Sequence, residues 1–447
     1  MSDHKEAKSF SRFGYIMVAA GAAIGLGNIW KFPYLAYGDG GGAFVLIYIV
    51  ICILLGRPIV QAEQAVGRRG RASAAASYGV IHPKWRFVGV INIVCTFLID
   101  IYYLVVSGWV LKYFVTYVVS GDFGKDKQAY FDNYISSTTQ PLIYSLIIIA
   151  IIVFFLFFGI TNIVEKASKV IMPMLAVLLL VCGIYALIVV PGAVDGLKYY
   201  FVPDFSQFGM QQFADACMQV CFSVGIGWGI FTTLGASMDK DANLKADAWW
   251  VDICDTFIAL LAGFVIIPTV VGTGSEMSSG PSLVFVAMTQ IFETLPGGRI
   301  IGIFFFASLI FAVISTFFTI LEIPRMYVQE KTHTSHQVSL IITAALVYGG
   351  SVLCSLSKGV LSWLKLPWPS FQGIAYWCDC LSGYVLLPLG VLLTCFYIAK
   401  AWGFNEYEKE LTNNGKHGKL SMYDKLSLAV ICPVLTLIVI LHVFGFI

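Results

Sequence analysis

The sequence predicts an all-α polytopic membrane protein with about eleven transmembrane helices, and three observations support this prediction. Of the 447 residues, 58% are hydrophobic and only 12% are charged, whereas a soluble protein averages about 25% charged residues. Apolar stretches of the length that a helix needs to cross a bilayer, about 20 residues, recur along the chain. Two of these stretches are interrupted by glycines. The chain is therefore expected to form one helical bundle in lipid, with irregular backbone at two places.

The apolar stretches are numbered here as spans 1 to 11. Their approximate bounds are 13–37, 41–66, 87–119, 141–160, 167–190, 206–237, 245–273, 299–327, 336–355, 372–398 and 423–446. The polar segment 1–12 precedes them. The partly apolar connection 274–298 is too short to span the bilayer, and it is a candidate lid over the outer mouth.

The positions of lysine and arginine predict the orientation. The connection between spans 2 and 3 is strongly basic, with Arg68, Arg69, Arg71, Lys84 and Arg86, and short basic loops stay in the cytoplasm. The acidic loop 121–140 then falls outside. The sequence thus predicts a multi-pass protein of the plasma (inner) membrane, with residues 1–12 in the cytoplasm.

Other classes of function have less support. The sequence has no HExxH or GxSxG motif, so nothing indicates a membrane hydrolase. A net charge of +2 gives no reason to expect a nucleic-acid partner. A channel is an alternative, but the glycines lie inside helices rather than in repeated pore loops. A transporter explains the pattern best.

Spans 1 and 6 are interrupted at matching positions. Span 1 contains GAAIGLGN and span 6 contains VGIGWGIF, each with three glycines. A helix break in hydrocarbon leaves main-chain groups unpaired, and it is tolerated only around a cavity or a ligand. Matching breaks in two halves of a chain indicate a transporter binding site. The alternative, that these glycines only allow close helix packing, explains one cluster more easily than two.

The groups freed at such breaks suit a zwitterion and a cation together. Free carbonyl oxygens can bind a cation, and N–H groups at the start of a half-helix can bind an anion. The sequence therefore predicts a site for a small amino-acid-like molecule accompanied by sodium.

The chain around these breaks closely resembles the neurotransmitter:sodium symporter family, which includes LeuT, and its prokaryotic members in particular. The resemblance rests on SRFGYIMVAAGAAIGLGNIWKFPYLAYGDGGGAF in span 1, and it extends to GRPIVQAEQAVGRRGR, IYYLVVSGW, DTFIALLAGFVIIP, FAVISTFFTILEIP and LLPLG. It implies the LeuT fold, with inverted five-helix repeats at 13–190 and 206–398 and an additional helix at 423–446. It also implies uptake of an amino acid or amine coupled to sodium.

The resemblance implies two sodium sites and no organic cofactor. Site 1 would use Ala23, Asn28, Ser223 and Asp255. Site 2 would use the carbonyl groups of Gly21, Ile24 and Ala312 and the hydroxyl groups of Ser315 and Thr316. Oxygen donors of this kind suit a hard cation.

Asp255 stands where the family usually has Asn. Many family members bind chloride nearby, around Tyr48, Gln219 and Ser223, and a fixed carboxylate would supply that negative charge itself. We therefore expect transport that does not need chloride, with Asp255 as a candidate proton carrier. The alternative is a structural Asp paired elsewhere in the bundle.

The resemblance also implies a substrate pocket. Its residues would be Ala22, Ala23, Gly25, Leu26, Gly27, Ile99, Tyr103, Phe222, Ser223, Gly225, Trp228, Thr316 and Ile320. Gly25 stands where monoamine carriers have Asp, so it leaves room for a substrate carboxylate that Tyr103 would bond.

The character of the pocket predicts the class of substrate. Because none of its residues is charged, a neutral, apolar or aromatic amino acid is expected. Gly225 is smaller and Trp228 larger than usual for the family, which leaves the size of the side chain open. Another small amine or an osmolyte is the alternative, and the oligomeric state is not predicted.

The gates follow from the same resemblance. Lys31 is expected to meet Asp379 above the substrate, with Tyr103 and Phe222 closing the outer side. On the inner side, Arg12 and Lys8 are expected to pair with Glu330. Glu63 and Glu322 are expected to bond main-chain groups freed at the breaks.

Overall fold

The computed structural model describes residues 10–158, 163–206, 208–274, 280–367 and 372–446, and this part of the chain is almost entirely helical. Its extended pairing is limited to two isolated bridges, Gly41 with Pro203 and Leu366 with Gln372. Eight helices of the described chain are long and apolar enough to cross a membrane, and the count rises to ten if each bent helix pair forms one span. The prediction of an all-α multi-span protein is confirmed.

The helices correspond to the predicted spans in order. Spans 1 to 11 are Arg12–Ala23 with Gly27–Gly38, Gly42–Gly70, Pro83–Val119, Gln140–Leu156, Glu165–Val189, Met210–Val224 with Ile230–Ala236, Leu244–Thr273, Gly298–Thr332, His336–Leu356, Ile374–Trp402 and Met422–Val443. Span 6 is not among these ten, and its two helices are separated by residues 225–229. Five short helices connect the spans: Ala74–Gly79, Lys127–Ser136, Ala193–Phe201, Leu283–Thr294 and Phe404–Leu411.

Span 1 is broken as the glycine pattern predicts. Ser11 caps its start by accepting a hydrogen bond from the Gly14 N–H, as N-cap serines do. The first helix ends at Ala23 because Ile24 adopts an extended conformation, with φ −73° and ψ 92°. The second half begins at Gly27 and is inclined by 58° to the first.

Span 6 is broken more sharply. Between Val224 and Ile230, the residues Gly225, Gly227 and Gly229 have φ of +80°, +82° and +83°. Side chains destabilise this left-handed conformation, and glycine adopts it readily. The three glycines are therefore needed for the backbone itself.

Glu63 of span 2 supports the break in span 6, as predicted, whereas Glu322 does not support either break. The Glu63 carboxylate accepts a hydrogen bond of 2.7 Å from the Gly227 N–H. Glu322 instead receives hydrogen bonds of 2.6 Å from two nitrogens of Arg325. The prediction for Glu322 is wrong because Arg325 follows one helical turn later and takes the carboxylate.

Ion pairs join neighbouring spans near their ends. Arg12 at the start of span 1 bonds Asp247 of span 7 at 2.9 Å. Glu330 bonds Arg86 at 2.6 Å and also accepts from Ser73. The expected pair between Arg12 and Glu330 is therefore wrong, because each already has a nearer partner. Lys8, the other expected partner, lies outside the described residues.

Candidate functional site

The two breaks face a buried polar cluster formed by Asn28, Tyr48, Ser223 and Asp255, each at most 1% exposed. The Asn28 NH₂ group donates to Asp255 Oδ1 at 2.7 Å. The Ser223 hydroxyl donates to Asp255 Oδ2 at 2.9 Å, and the Tyr48 hydroxyl lies 2.9 Å from Ser223 Oγ. Three of the four residues predicted for sodium site 1 are thus in contact through their side chains: Asn28, Ser223 and Asp255.

The amide of Asn28 also holds the break in span 1. Its oxygen accepts from the Gly25 N–H at 3.2 Å, while its NH₂ group points toward Ser223 and Asp255. A cation beside Asp255 would be bound by the Asn28 oxygen only after the amide turns over. Ala23, the remaining predicted member, is the last residue of the first half-helix.

Asp255 has no ion-pair partner within the described chain. Its hydrogen-bond donors, from Asn28, Ser223 and Tyr48, are all neutral. A buried carboxylate without a cation is unfavourable in a low-dielectric interior. The site is therefore suited to bind a positive charge.

A second oxygen cluster lies between span 1 and span 8. The Thr316 hydroxyl lies 3.2, 3.0 and 2.9 Å from the carbonyl oxygens of Gly21, Ile24 and Ala312. The Ser315 hydroxyl lies 3.0 Å from the Ala312 oxygen. The five residues predicted for sodium site 2 are thus neighbours.

Gly21 and Gly25 allow the close approach of these spans. A Cβ atom at Gly21 would lie 2.9 Å from the Ser315 side chain. At Gly25 it would lie 3.2 Å from the Tyr103 hydroxyl and 3.3 Å from that of Thr316. The Tyr103 hydroxyl also accepts from the Leu26 N–H at 3.3 Å, so the break and Tyr103 of span 3 share one small polar space.

Four of the residues predicted to line the side-chain pocket are buried. Ala22, Ile99, Trp228 and Ile320 are each at most 4% exposed. The Trp228 carbonyl accepts a hydrogen bond of 2.5 Å from Thr96 of span 3. Thr96 could not be singled out from the sequence, because a lone Thr in an apolar helix usually bonds its own helix.

Phe222 packs against Trp228 and against the break in span 1. Its ring centroid lies 5.4 Å from that of Trp228, and its ring atoms lie only 2.6 Å from where a Cβ at Gly27 would be. Only glycine at position 27 permits this contact. Gln219, one turn earlier in span 6, donates to the Gly27 carbonyl at 3.2 Å.

A cavity of about 300 Å³ borders Phe222, and we call it the outer cavity because the predicted orientation places it outside. Lys31, Asp215, Lys358 and Asp379 contribute charge to its lining. The Lys31 ammonium lies 4.7 Å from the centre of the Phe222 ring and 5.5 Å from that of Tyr384. Among the described residues no ion pair joins Lys31 to Asp379, so the expected outer gate pair is not formed in this conformation. Lys358 was missed because it lies in a connecting segment.

The segment predicted as a lid forms a helix beside this cavity. Leu283–Thr294 is helical, and Phe285 packs against Trp30 of span 1 with ring centroids 6.3 Å apart. Pro281 lines the cavity. Residues 275–279 of the connection lie outside the described part of the chain.

Comparisons with known proteins agree with this architecture. A family model described as the sodium:neurotransmitter symporter family matches residues 7–121 and 131–446. The sodium-dependent transporter YhdH of Bacillus subtilis is 32% identical over 100% of this chain and 99% of its own length. The sodium-dependent dopamine transporter of Bos taurus is 24% identical, covering 95% of this chain and 67% of its own length.

A solved structure is similar over almost the whole fold. MhsT in complex with L-phenylalanine is 32% identical with a TM-score of 0.89, and the match covers 98% of this chain and 100% of that chain. This similarity confirms the LeuT-type fold. Because the family model and the relatives match nearly end to end, the chain belongs to the sodium:neurotransmitter symporter family, whose members are membrane transporters and not enzymes.

Proposed function

We propose that this protein takes up a neutral amino acid together with sodium by alternating access. The observation that carries the proposal is the buried Asp255 carboxylate, which has only neutral donors around it and lies beside both helix breaks. A sodium ion there, held by Ala23, Asn28, Ser223 and Asp255, would compensate the buried charge.

A second sodium ion would occupy the cluster around Thr316. The oxygens of Gly21, Ile24, Ala312, Ser315 and Thr316 already lie close together, so little rearrangement is needed. Because this site joins span 1 to span 8, an ion there would strengthen the contact between a broken helix and its neighbour.

An amino acid suits the remaining space better than a monoamine. The space at Gly25 is bounded by the hydroxyl groups of Tyr103 and Thr316, which can donate to a carboxylate. The predicted pocket contains no charged side chain, so a charged substrate would be left unpaired at a cost of several kcal/mol. The neighbour MhsT was solved with phenylalanine, which supports an amino acid as the class.

The transport cycle would start from the conformation described here. The outer cavity reaches Phe222 and Tyr103, while Arg12 and Asp247 join spans 1 and 7 at the ends that would face the cytoplasm. Binding would draw Lys31 and Asp379 together over Phe222. Rocking of spans 1, 2, 6 and 7 would then open the inner side, which faces the cytoplasm of a cell whose inner membrane carries the protein.

Asp255 would make chloride unnecessary. A carboxylate 2.9 Å from Ser223 Oγ occupies the region where chloride would bind in relatives, and it would supply the same negative charge. When the empty carrier returns, the Asp255 carboxylate would be buried without its sodium ion. Asp255 could avoid this uncompensated charge by binding a proton inside and carrying it outward.

Uptake into proteoliposomes tests the proposal. An inward sodium gradient should drive accumulation of a labelled neutral amino acid, and replacing chloride with gluconate should leave the rate unchanged. Asp255→Asn should reduce uptake in gluconate by about tenfold or more, with partial recovery in chloride. A strict need for chloride in the unchanged protein would refute the role of Asp255. If only an osmolyte such as betaine or another amine is accumulated, the proposed substrate class is wrong.

A further inference from the structure

We propose that Asp215 and Lys358 form a second ion pair across the outer gate, beside the pair expected of Lys31 and Asp379. The inference rests on the proposed transport by alternating access and extends it to two residues that have had no role so far. All four side chains line the outer cavity, and within the described chain none of them forms an ion pair. The open cavity thus contains two cations and two acids that have not paired with one another.

One cation and one acid lie on the wall formed by spans 1 and 6. The Gln219 side chain of span 6 donates to the Gly27 carbonyl of span 1 at 3.2 Å. Lys31 follows Gly27 by one helical turn, and Asp215 precedes Gln219 by one turn, so both lie on the cavity side of this contact. Lys31 attracts Asp215 electrostatically without forming an ion pair. Both spans belong to the group of helices proposed to rock.

The other cation and acid lie on the wall formed by span 10 and the turn after span 9. Ser357 in that turn packs against the start of span 10, because its hydroxyl lies 3.2 Å from where a Cβ at Gly373 would be. Lys358 is the next residue, and Asp379 lies in the first helix of span 10. Asp379 attracts Lys358, again without an ion pair. Each wall therefore carries one positive and one negative charge.

The charged residues of the first wall already face span 10. The Lys31 ammonium lies 5.5 Å from the centre of the Tyr384 ring of span 10. Asp215 lines a second, smaller cavity of about 280 Å³ together with Tyr384. Once Lys31 reaches Asp379, the described lining of the outer cavity offers Asp215 one remaining cation, which is Lys358.

Closing the cavity makes the second pair necessary. A charge that leaves water without a partner is strongly unfavourable, whereas opposite charges in contact compensate one another. The pair of Lys31 and Asp379 alone would leave Lys358 and Asp215 enclosed in the gate without partners. Their pairing joins the turn after span 9 to span 6. It also reinforces a gate in which lysine supplies a point charge in place of the planar group of arginine.

The dissociation of a labelled amino acid from purified full-length protein in sodium buffer measures how firmly the gate closes. The probes are labelled leucine and labelled phenylalanine. Lys358→Glu places an acid opposite Asp215, so the probe should dissociate faster by about tenfold or more. Adding Asp215→Lys to this variant restores opposite charges and should recover most of the loss. Lys125→Glu is the matched control, because Lys125 is exposed and does not line the cavity, and it should leave dissociation unchanged.

Two neutral variants test the pair without reversing a charge. Lys358→Gln and Asp215→Asn should each speed dissociation by about threefold, and the double variant should be no faster than either, since both changes remove the same ion pair. His442 of span 11 lines the smaller cavity with Asp215 and is the competing partner. His442→Gln should leave the dissociation rate unchanged.

The outcomes separate this inference from the proposed function. The second pair is refuted if Lys358→Glu leaves dissociation unchanged, if Asp215→Lys does not restore it, or if the effects of the two neutral variants add. An effect of His442→Gln equal to that of Asp215→Asn would assign Asp215 to span 11 and refute the pair as well. In each of these cases sodium-dependent binding of leucine or phenylalanine, and with it the proposed function, stands. If neither amino acid binds in a sodium-dependent manner, the proposed function itself fails and the inference fails with it.

Discussion

The Thr316 hydroxyl illustrates how single atoms connect separate helices in this fold. It lies within 3.2 Å of two carbonyl oxygens of span 1 and one of its own helix. A hydroxyl has only one proton to donate, so three carbonyl oxygens compete for it. The remaining lone pairs of these carbonyl oxygens are available to a cation. Thr316 is therefore the most direct position at which to test the proposed second sodium site.

We predict that Thr316→Val weakens sodium binding more than it destabilises the fold. Valine keeps the shape but removes one oxygen donor, so the sodium concentration for half-maximal uptake should rise by about tenfold. Sodium titration of uptake at a fixed amino acid concentration measures this change. Thr269→Val is the control, because within the described chain the Thr269 hydroxyl bonds only Val265 of its own helix and Thr269 is as buried as Thr316. An unchanged sodium dependence in the Thr316 variant would argue against the site.

At the scale of single residues, the sequence predicted the groups that meet at the breaks and one supporting contact, that of Glu63 with Gly227, but not the other supporting contacts. Asn28, Ser223 and Asp255 could be named because they flank the glycine clusters or match the family pattern, and the structure brings them together. Thr96 could not, since its bond to Trp228 depends on how spans 3 and 6 pack. The same limit explains the wrong partners given to Arg12 and Glu322.

At the scale of the helix, the break in span 6 depends on how closely its glycines approach other helices. A Cβ at Gly227 would lie 2.5 Å from the Leu387 carbonyl oxygen of span 10. A Cβ at Gly229 would meet nothing nearer than 3.4 Å, from Asn92. Both residues have positive φ, so they share the conformational requirement but differ in the space around them.

Alanine at these two positions should therefore destabilise the protein to different degrees. Gly229→Ala should cost about 1–2 kcal/mol, the usual penalty of left-handed backbone for a side chain. Gly227→Ala should cost more, because backbone atoms of span 10 cannot yield to the added methyl group. The melting temperatures of the purified variants, measured in the same detergent, compare the two. Equal losses would show that the contact with Leu387 relaxes freely.

The helix breaks could be predicted from the sequence, because two matching clusters of glycines in apolar stretches are hard to explain in another way. The ends of the helices were predicted less accurately. Span 8 continues to Thr332, beyond the predicted 327, because the polar residues that follow the apolar stretch still favour a helix. The outer loop 121–140 contains the helix Lys127–Ser136, which short-range apolar periodicity did not indicate. Tertiary contacts, such as the 2.5 Å pair of Lys127 with Glu293, support it.

At the scale of the whole molecule, the two sides of the bundle differ. On the side that holds the start of span 1, ion pairs join spans 1 and 7 and spans 3 and 8. On the opposite side the cavity is open as far as Phe222, and Lys31 has no carboxylate partner in the described chain. The sequence contains the gate residues but cannot tell which gate is closed, because such states differ by only a few kcal/mol.

The inner ion pair should hold the first half of span 1 in place. We predict that Asp247→Asn speeds hydrogen exchange of the backbone amides at the start of span 1, near Arg12. The Arg12 side chain is 59% exposed and that of Asp247 is 2% exposed, so water partly screens the ion pair. The pair should therefore stabilise the start of span 1 by up to about 1 kcal/mol. Its loss would speed exchange by about fivefold. Hydrogen exchange followed by mass spectrometry of the peptide that contains residues 10–20 measures this.

Asp195→Asn is the control, because it weakens an exposed ion pair with Lys198 and should leave the exchange of that peptide unchanged. Unchanged exchange in the Asp247 variant would mean that close packing of spans 1 and 7, and not the ion pair, holds the start of span 1 in place.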